Sequence, residues 1–259
     1  MAEARDSKPS GQGRHPITLA IDVGGTGVKA MRLDNRGRPI SQRKRLSTPR
    51  PATPGRMIET IRCLIGRRKG FDRVAVGFPG WVEDGIVRTA PNLHPNWMGF
   101  DLRRKLEDIT TKPVRVINDA EVQGLGHISG DGLEIMITLG TGLGSAVFVD
   151  GKLVPGLEIG QQRAANGKTY DGLLNKAALA SIGVRRWRKR VLHLVQEIEP
   201  VWNYRRLYLG GGNSRHLKQK ALPENVTVVS NDGGLWGGHV LWTKPEAVEW
   251  DPPTRAGGS

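Results

Sequence analysis

The sequence predicts an α/β protein built from two similar βββαβα-type domains with a cleft between them. The prediction depends on a unit of strand, glycine-rich turn and returning strand that occurs near the start of the chain and again near its middle. Because both units place a small-residue turn at the same point, they indicate a duplicated architecture. The segments are residues 17–21, 24–27 and 28–33 in the first unit, and 135–139, 140–144 and 145–149 in the second.

The rest of the first half alternates between strand and helix patterns. A turn at residues 35–37 leads to a third strand. Thr53 followed by Pro54 is typical of a helix start, because the fixed φ of proline suits the first turn. Apolar side chains at helical spacing then predict an amphipathic helix through Met57, Ile58, Ile61, Leu64 and Ile65. The remaining elements are a strand at 74–78, a helix through Leu102, Leu106 and Ile109, and a strand at 114–117.

In the second half, Asp150 and Gly151 indicate a hairpin. A strand at 207–209 runs into a glycine turn at 210–212, which is expected to open another helix. Segment 162–176 is unusually rich in small and polar residues and fits no element. A helix before the strand at 207–209 is predicted from the helical spacing of Trp187, Val191, Leu194, Val195 and Ile198.

These patterns predict the domain boundaries. We expect a disordered N-terminal tail at 1–16, an N-terminal domain at 17–117 and a C-terminal domain at 118–242, whose last helix can pack back on the first domain. Residues 243–259 are rich in proline, glycine and charge, so we expect a loosely ordered tail there.

Size and composition exclude several classes of protein. With 259 residues, 37% of them apolar, the chain can bury a core, and it has no run of about 20 apolar residues that could cross a bilayer. We therefore expect a cytoplasmic protein with no membrane partner. The single cysteine, Cys63, excludes an internal disulfide framework and a zinc site of several thiolates, and it is expected in the core.

The chain is strongly basic, with 39 lysines and arginines against 25 acidic residues and a net charge of +14. Such a surface attracts anions, so nucleic acids, phosphate polymers and acidic membranes remain open as partners on charge alone. Basic runs also occur as ordinary solvated surface.

The two glycine-rich turns are candidates for phosphate binding, because backbone N–H groups without a Cβ in the way can point into one concavity. Ordinary tight turns use the same residues, and neither segment has the P-loop or dinucleotide-binding pattern. The candidate residues are Gly24, Gly25, Thr26 and Gly27 in the first turn, and Gly140, Thr141 and Gly142 in the second.

Two carboxylates follow predicted strands. Asp22 precedes the first glycine turn, where it could hold Mg²⁺ directly or through water, or simply cap the turn. Asp119 follows the strand at 114–117 and Asn118, where it could accept the proton of an attacking hydroxyl. An Asn-Asp pair after a strand is also a common helix N-cap.

Together these segments resemble the ROK family of sugar kinases, and within it the polyphosphate glucokinases. The resemblance covers most of the chain. The family's zinc-binding cysteine cluster is missing from this sequence, as it is from the polyphosphate glucokinases, so the sequence resembles that branch. It implies an actin-like (ribonuclease H-like) ATPase fold. The matching motifs are residues 22–29, 77–80, 90–93 with Trp97, 117–120, 139–144 and 210–214, with Trp202.

The resemblance also implies roles for individual residues. Asp119 would deprotonate the sugar 6-hydroxyl, Asn118 and Glu158 would bind sugar hydroxyls, and Asn92 would line the same pocket. The two turns, Mg²⁺ and Lys29 would align and neutralise the phosphoryl donor. Gly211 and Gly212 would lie beside the nucleotide or the distal phosphates.

One position departs from the family pattern. Glu158 is followed three residues later by Gln161, where the family usually has histidine, so the identity of the sugar and even activity are open on sequence alone. Trp97, which follows Asn92, is a further candidate for the sugar region.

The leading hypothesis is a kinase that transfers a phosphoryl group from inorganic polyphosphate or ATP to the 6-hydroxyl of glucose or a related hexose. The alternatives are an ATP-dependent kinase for another sugar or polyol, and a catalytically impaired protein that binds sugar or polyanion. Only about 16 residues precede the first strand, so we expect no DNA-binding domain and no specific DNA binding. A homodimer is expected from the prevalence of two-fold dimers.

Overall fold

The computed structural model describes residues 15–66, 70–164, 167–230 and 233–248. Most of the tail predicted at 1–16 and residues 249–259 lie outside this range. The strands are β1 (Thr18–Val23), β2 (Gly27–Leu33), β3 (Lys44–Ser47), β4 (Arg73–Phe78), β5 (Val82–Glu83), β6 (Ile86–Val87), β7 (Val114–Asn118), β8 (Leu133–Leu139), β9 (Leu143–Val149), β10 (Lys152–Val154), β11 (Arg206–Gly210) and β12 (Val226–Val228). The α-helices are α1 (Pro54–Ile65), α2 (Leu102–Thr110), α3 (Asp119–Leu125), α4 (Tyr170–Leu174), α5 (Lys176–Trp202) and α6 (Gly233–Thr243).

The first sheet has the order β3-β2-β1-β4-β7. β1 pairs antiparallel with β2 and parallel with β4, and β4 pairs parallel with β7. The carboxyl ends of β1, β4 and β7 therefore meet at one edge of the sheet. This edge brings Asp22, near the end of β1, towards Asp119, which follows β7.

The second sheet repeats this arrangement in the order β10-β9-β8-β11-β12. β8 pairs antiparallel with β9 and parallel with β11, and β11 pairs parallel with β12. The predicted duplication is confirmed, because the β1–β2 and β8–β9 hairpins occupy equivalent places and each carries a glycine turn.

Each sheet buries its own apolar core. In the first, Ile21, Val76 and Val116 pack with Met57 of α1 and Leu106 of α2. In the second, Ile137 and Leu209 pack with Trp187, Val191 and Val195 of α5. The helices predicted from 3.6-residue spacing thus cover the strands predicted from alternation.

Helix α6 joins the two halves through unusually close contacts. A Cβ at Gly237 would lie 1.7 Å from the carbonyl oxygen of Val122 on α3, and one at Gly238 would lie 3.1 Å from the Cβ atoms of both Ala20 and Ala75 in the first sheet. Only residues this small allow α6 to approach α3 and the sheet. Helix α3, which carries Asp119, is therefore held between α6 and the strands.

The ring of Trp242 extends this contact at the end of α6. Its Nε1 donates to the carbonyl of Val74 at 3.2 Å. The guanidinium groups of Arg73 and Arg115 lie 5.5 and 4.7 Å from the centre of its ring. These cation–π contacts add to the apolar packing that fixes the C-terminal helix on the first sheet.

Two predictions need correction. Cys63 is exposed, because Met57, Ile61 and Leu64 form the core face of α1 and position 63 lies outside it. The turn at 210–212 leads into a 3-10 helix at Ser214–His216, where an α-helix was expected. A 3-10 helix lies at Pro245–Ala247, with Ala247 buried, and the tail boundary at 243 stays a prediction.

The structure also contains elements that the sequence did not reveal. β5 and β6 form a two-stranded sheet, β12 extends the second sheet, and α4 lies within segment 162–176. Helix α5 is longer than predicted and contains a break at Gly183, whose φ of 76° favours glycine. The domain boundary after residue 117 stays a prediction.

Glu134 of β8 is a buried carboxylate with several hydrogen-bond donors. Tyr208 Oη donates to its Oε1 at 2.7 Å, and the backbone N–H groups of Ser129 and Gly130 donate at 2.9 and 2.6 Å. Burial alone would raise the pKa of Glu134, but these hydrogen bonds outweigh it and lower the pKa. The carboxylate thus links the loop before β8 to β11.

We predict that Glu134→Leu lowers the free energy of unfolding by about 2 kcal/mol or more, because the buried Tyr208 hydroxyl loses its acceptor. Glu134→Gln, which keeps one acceptor oxygen, should lower the free energy of unfolding by a smaller amount. Because folding lowers the pKa of Glu134, the stability that its ionised carboxylate contributes is lost as pH falls. The difference in free energy of unfolding between wild type and Glu134→Gln should therefore shrink in acid. Urea unfolding measures the free energy of unfolding of the wild type and both variants. Glu224→Gln, a change at an exposed carboxylate, is the control. If Glu224→Gln and Glu134→Leu lowered this free energy equally, the prediction would be wrong.

Candidate active site

A cleft of about 320 Å³ lies where the two glycine turns meet. Apart from Trp97, every residue assigned to the site from the sequence lines it. They are Asp22, Gly24, Gly25, Thr26, Gly27, Lys29, Asn92, Asn118, Asp119, Gly140, Thr141, Gly142, Glu158, Gln161, Gly211 and Gly212.

The two turns face each other, and each contains a backbone hydrogen bond that begins at its first glycine. Gly24 N donates to Gly27 O at 3.0 Å, and Gly140 N donates to Gly142 O at 2.9 Å. A Cβ at Gly25 would lie 3.2 Å from the side chain of Thr141, so the turns are in contact across the cleft. Within the described residues, the N–H groups of Gly25 and Thr141 have no protein acceptor, as expected of groups that can bind phosphate oxygens.

The third glycine turn is fixed to the second. Asn213 N donates to Leu139 O at 2.8 Å, and Asn213 Nδ2 donates to Gly140 O at 3.2 Å. A Cβ at Gly211 would lie 2.4 Å from Leu139 N, so the close approach requires glycine. Gly211 and Gly212 thereby extend the glycine-lined wall of the cleft.

Asp119 lies at the junction of β7 and α3, on the floor of the cleft. The loss of solvation, followed by the negative charges of Asp22 and Glu158, raises its pKa to about 8. A Cβ at Gly77 would lie 3.3 Å from Asp119 Cα, and one at Gly144 would lie 3.7 Å from Asp119 Oδ1. Gly77 therefore allows β4 to approach the backbone of Asp119 closely, whereas a Cβ at position 144 would lie at an ordinary van der Waals distance from the carboxylate.

Asn118 positions Asp119 by capping α3. Its Oδ1 accepts from Ala120 N at 2.7 Å, and its Nδ2 donates to Gly80 O at 3.1 Å. Glu121 completes a capping box by accepting from Asn118 N at 2.9 Å. Asn118 therefore caps the helix and lines the cleft at once. Burial raises the pKa of Glu121 to about 7, although its hydrogen bonds oppose that shift.

Asp22 forms an ion pair with Lys29 across the β1–β2 hairpin, with Lys29 Nζ 2.7 Å from Asp22 Oδ2. Among the described residues, no group of three His, Cys, Asp or Glu side chains could hold a metal ion. Mg²⁺ commonly uses one or two carboxylates together with substrate phosphates and water. Asp22 is thus suited to an ion that arrives with the donor.

Glu158 and Gln161 lie at the other side of the cleft, around a 3-10 helix at Ile159–Gln161. Burial and the charge of Asp171 raise the pKa of Glu158. Asn92 reaches the second turn, since a Cβ at Gly142 would lie 2.7 Å from Asn92 Nδ2. Asn92, one of the residues assigned to sugar binding, is therefore close to the second glycine turn.

Trp97 does not belong to the cleft. It is fully buried, packs against Phe78 and Phe100 at ring-centre distances of 4.8 and 5.3 Å, and donates from Nε1 to Ala52 O at 2.8 Å. The indole therefore serves the first core and does not bind ligand.

Sequence reasoning missed several charged residues of the cleft. Arg45, Lys176 and Arg215 are exposed at its lining, and Asp171 comes from α4. Arg45 lies against the first turn, where its Nη2 donates to Thr26 O at 2.9 Å. Arg45 belongs to a basic run at residues 43–45, which is only a weak indication of an anion site. No local pattern marked Lys176, Arg215 or Asp171.

Comparisons with known proteins agree with this geometry. The ROK family model matches residues 18–162. The polyphosphate glucokinase of Mycobacterium tuberculosis is 32% identical to the chain over 241 residues, which cover 85% of the chain and 88% of that relative.

Two solved structures show the same fold. The inorganic polyphosphate/ATP-glucomannokinase from Arthrobacter sp. strain KM has a TM-score of 0.80 and 28% identity, covering 87% of this chain and 98% of that one. A ROK family glucokinase from Streptomyces griseus, in complex with glucose and AMPPNP, has a TM-score of 0.73 and 21% identity, covering 87% of this chain and 98% of that one. The predicted actin-like fold is confirmed. In the described ranges, no helix is long and apolar enough to span a bilayer.

The raised pKa of Asp119 predicts a pH-dependent stability. In the unfolded chain its carboxyl ionises near pH 3.8, whereas the folded protein keeps the proton to about pH 8. Stability should therefore be lost progressively between these values as pH rises. Asp119→Asn cannot ionise, so its unfolding free energy should exceed that of wild type at about pH 8 and differ less at about pH 4. Urea unfolding at both pH values checks this, and a variant less stable than wild type at the higher pH would contradict it.

Proposed function

The chain belongs to the ROK family and is a sugar kinase, and we propose that it transfers the terminal phosphoryl group of inorganic polyphosphate to the 6-hydroxyl of glucose. The observation that carries this proposal is the position of Asp119, a carboxylate of raised pKa on the floor of a cleft whose walls are the two glycine turns. The acceptor hydroxyl would lie at Asp119 and the donor phosphates at the turns.

In the proposed reaction, Asp119 accepts the proton of the 6-hydroxyl while that oxygen forms a bond to the terminal phosphorus. The bond from this phosphorus to the bridging oxygen breaks, and the oxygen leaves with its electron pair on the shortened polyphosphate. The proton then passes from Asp119 to solvent. The unionised carboxyl must first lose its proton, so kcat/KM should rise towards about pH 8.

The glycine turns would supply the electrostatic part of catalysis. N–H groups of Gly25 and Thr141 would donate to phosphate oxygens and hold the phosphorus in line with the sugar oxygen. Mg²⁺ bound through Asp22 would neutralise charge on the donor. Lys29 is already paired with Asp22 and would orient that carboxylate.

The cations around the cleft support a long anionic donor. Arg45, Lys176 and Arg215 are exposed residues that line it, beyond the ion pair of Lys29. These three residues are called the rim of the cleft. A chain of phosphates that extends from the glycine turns over this rim could contact several of them at once. The high net charge of +14 would also raise the rate of encounter with such a polyanion.

We predict that Asp119→Asn lowers kcat by about 100-fold or more, because the amide cannot accept the hydroxyl proton. The donor KM should stay nearly unchanged, since the turns are intact. Steady-state assays with glucose and polyphosphate measure both constants. Asp131→Asn, an exposed carboxylate that pairs with Arg205 outside the cleft, is the matched control and should behave as wild type. A near-normal rate for Asp119→Asn would reject its role as the base.

We predict that Arg45→Gln and Arg215→Gln each raise the KM for long-chain polyphosphate about threefold to tenfold, with a smaller effect on the KM for ATP. Each change removes one cation from the rim, and its effect should weaken as salt screens the charge. A donor panel at about 0.05 and 0.5 M salt measures this.

Arg62→Gln is the matched control for the rim variants, because Arg62 is an exposed arginine on α1 outside the cleft. It should leave both donor constants unchanged. If the rim variants raised the KM values for ATP and polyphosphate equally, the assignment of the rim to a long donor would be wrong.

A further inference from the structure

The loop that carries Glu158 is bound to β9 through one hydroxyl group. Ser145 Oγ donates to the carbonyl oxygen of Leu157 at 2.9 Å and accepts from the backbone N–H of Ile159 at 2.8 Å. These two residues come immediately before and after Glu158. A single side chain therefore fixes the backbone on both sides of this carboxylate.

The loop is held without the help of the Glu158 carboxylate itself. Glu158 is the N-cap residue of the 3-10 helix at Ile159–Gln161, but its side chain makes no capping hydrogen bond. In the part of the chain that the structure describes, it also has no salt-bridge partner. The carboxylate is thus left for a ligand of the cleft, which Glu158 lines.

Close packing of the same loop on β9 adds to these hydrogen bonds. A Cβ at Gly160 would lie 2.5 Å from the carbonyl oxygen of Leu143, so only glycine allows this approach. Ile159 is buried and packs with Leu143 and Val147 in the second core. Because β9 is the strand that returns from the second glycine turn, this strand sets the place of Glu158 relative to the turn.

Ser145 has no direct access to a substrate. Its exposure is 4%, and it lies outside the described lining of the cleft. A hydroxyl group can donate one hydrogen bond and accept others, and the loop uses both capacities here. Loss of the hydroxyl would leave Leu157 O and Ile159 N without these partners, which costs free energy unless the loop moves to find others.

We propose that Ser145 is a positioning residue for the transfer reaction, in which its hydroxyl holds Glu158 where the carboxylate binds the acceptor sugar. The inference rests on the proposed function of the cleft. A carboxylate that must meet a sugar hydroxyl loses much of its effect when its backbone shifts by about 1 Å. Ser145 thus acts on the sugar only through Glu158.

The donor site should not depend on Ser145. The hydrogen bond that closes the second turn, from Gly140 N to Gly142 O, does not involve this side chain. A change at Ser145 is therefore expected to separate the binding of sugar from the binding of phosphate.

The test measures glucose binding by titration calorimetry without donor, so that it does not depend on turnover. Ser145→Ala should weaken glucose binding about fivefold or more, because it removes both hydrogen bonds beside Glu158. The polyphosphate KM in parallel assays should change less than about twofold. Glucose affinity within about twofold of wild type would overturn the inference, as would an equal rise of the glucose and polyphosphate constants.

Two further substitutions test whether the hydroxyl group itself is responsible. Ser145→Thr keeps the hydroxyl and suits a strand, so its glucose affinity should stay within about twofold of wild type. Ser145→Cys, whose thiol is a weak donor and acceptor, should fall between the alanine and threonine variants, and it replaces the alanine variant if that does not fold. If Ser145→Thr bound glucose as weakly as Ser145→Ala, the effect would come from packing and the inference would be wrong.

Thr18→Val is the matched control for loss of a buried hydroxyl. Thr18 is fully buried at the start of β1, away from the cleft, and its Oγ1 accepts from Arg73 Nε at 2.8 Å. This variant should have a lower melting temperature but unchanged glucose affinity, and weakening equal to that of Ser145→Ala would count against a specific role of Ser145. Absence of hexose binding by the wild-type protein would instead contradict the proposed function, and this inference with it.

Discussion

The burial of the Asp119 carboxyl group beside other carboxylates at the floor of the cleft is the constraint on which the site depends. Asp119 is deprived of solvent and lies near the charges of Asp22 and Glu158, so its ionised form is disfavoured. The fold maintains this arrangement with contacts away from the carboxyl group itself. The capping box of Asn118 and Glu121 fixes the start of α3, and Gly77 allows β4 to approach Asp119 Cα closely.

The close packing of α6 explains how two separate sheets hold one cleft. Gly237 contacts the backbone of α3. Gly238 contacts Ala20 in β1, which leads into the first glycine turn, and Ala75 in the neighbouring strand β4. Helix α3 also packs on the second sheet, where a Cβ at Gly124 would lie 2.4 Å from the ring of Phe148. Since the packing leaves no space for larger side chains, α3 is fixed relative to both sheets. The distance between the two glycine turns follows from this packing.

Local patterns were sufficient to predict the two hairpins, the helix faces and the residues at the ends of parallel strands. Those features depend on turn chemistry, on periodicity and on the rule that parallel strands end at one edge. Trp97 was misread because a large aromatic side chain gives no local sign of whether it packs in a core or faces a ligand. Asp171 and Arg215 could not be predicted, because their place in the cleft comes from contacts between segments far apart in the chain.

The distribution of charge within the cleft separates its two substrates. Glu158 and Asp171 make the floor acidic, because Asp22 is paired with Lys29 and Asp119 keeps its proton to about pH 8. Arg45, Lys176 and Arg215 make the rim basic. An anionic phosphate chain is attracted to the rim and repelled from the floor, unless a cation accompanies its reacting end. A neutral polyol experiences no such repulsion and can donate hydroxyl protons to the floor. The electrostatic field thus favours sugar at the carboxylates and phosphate at the glycine turns, which is the orientation that phosphoryl transfer requires.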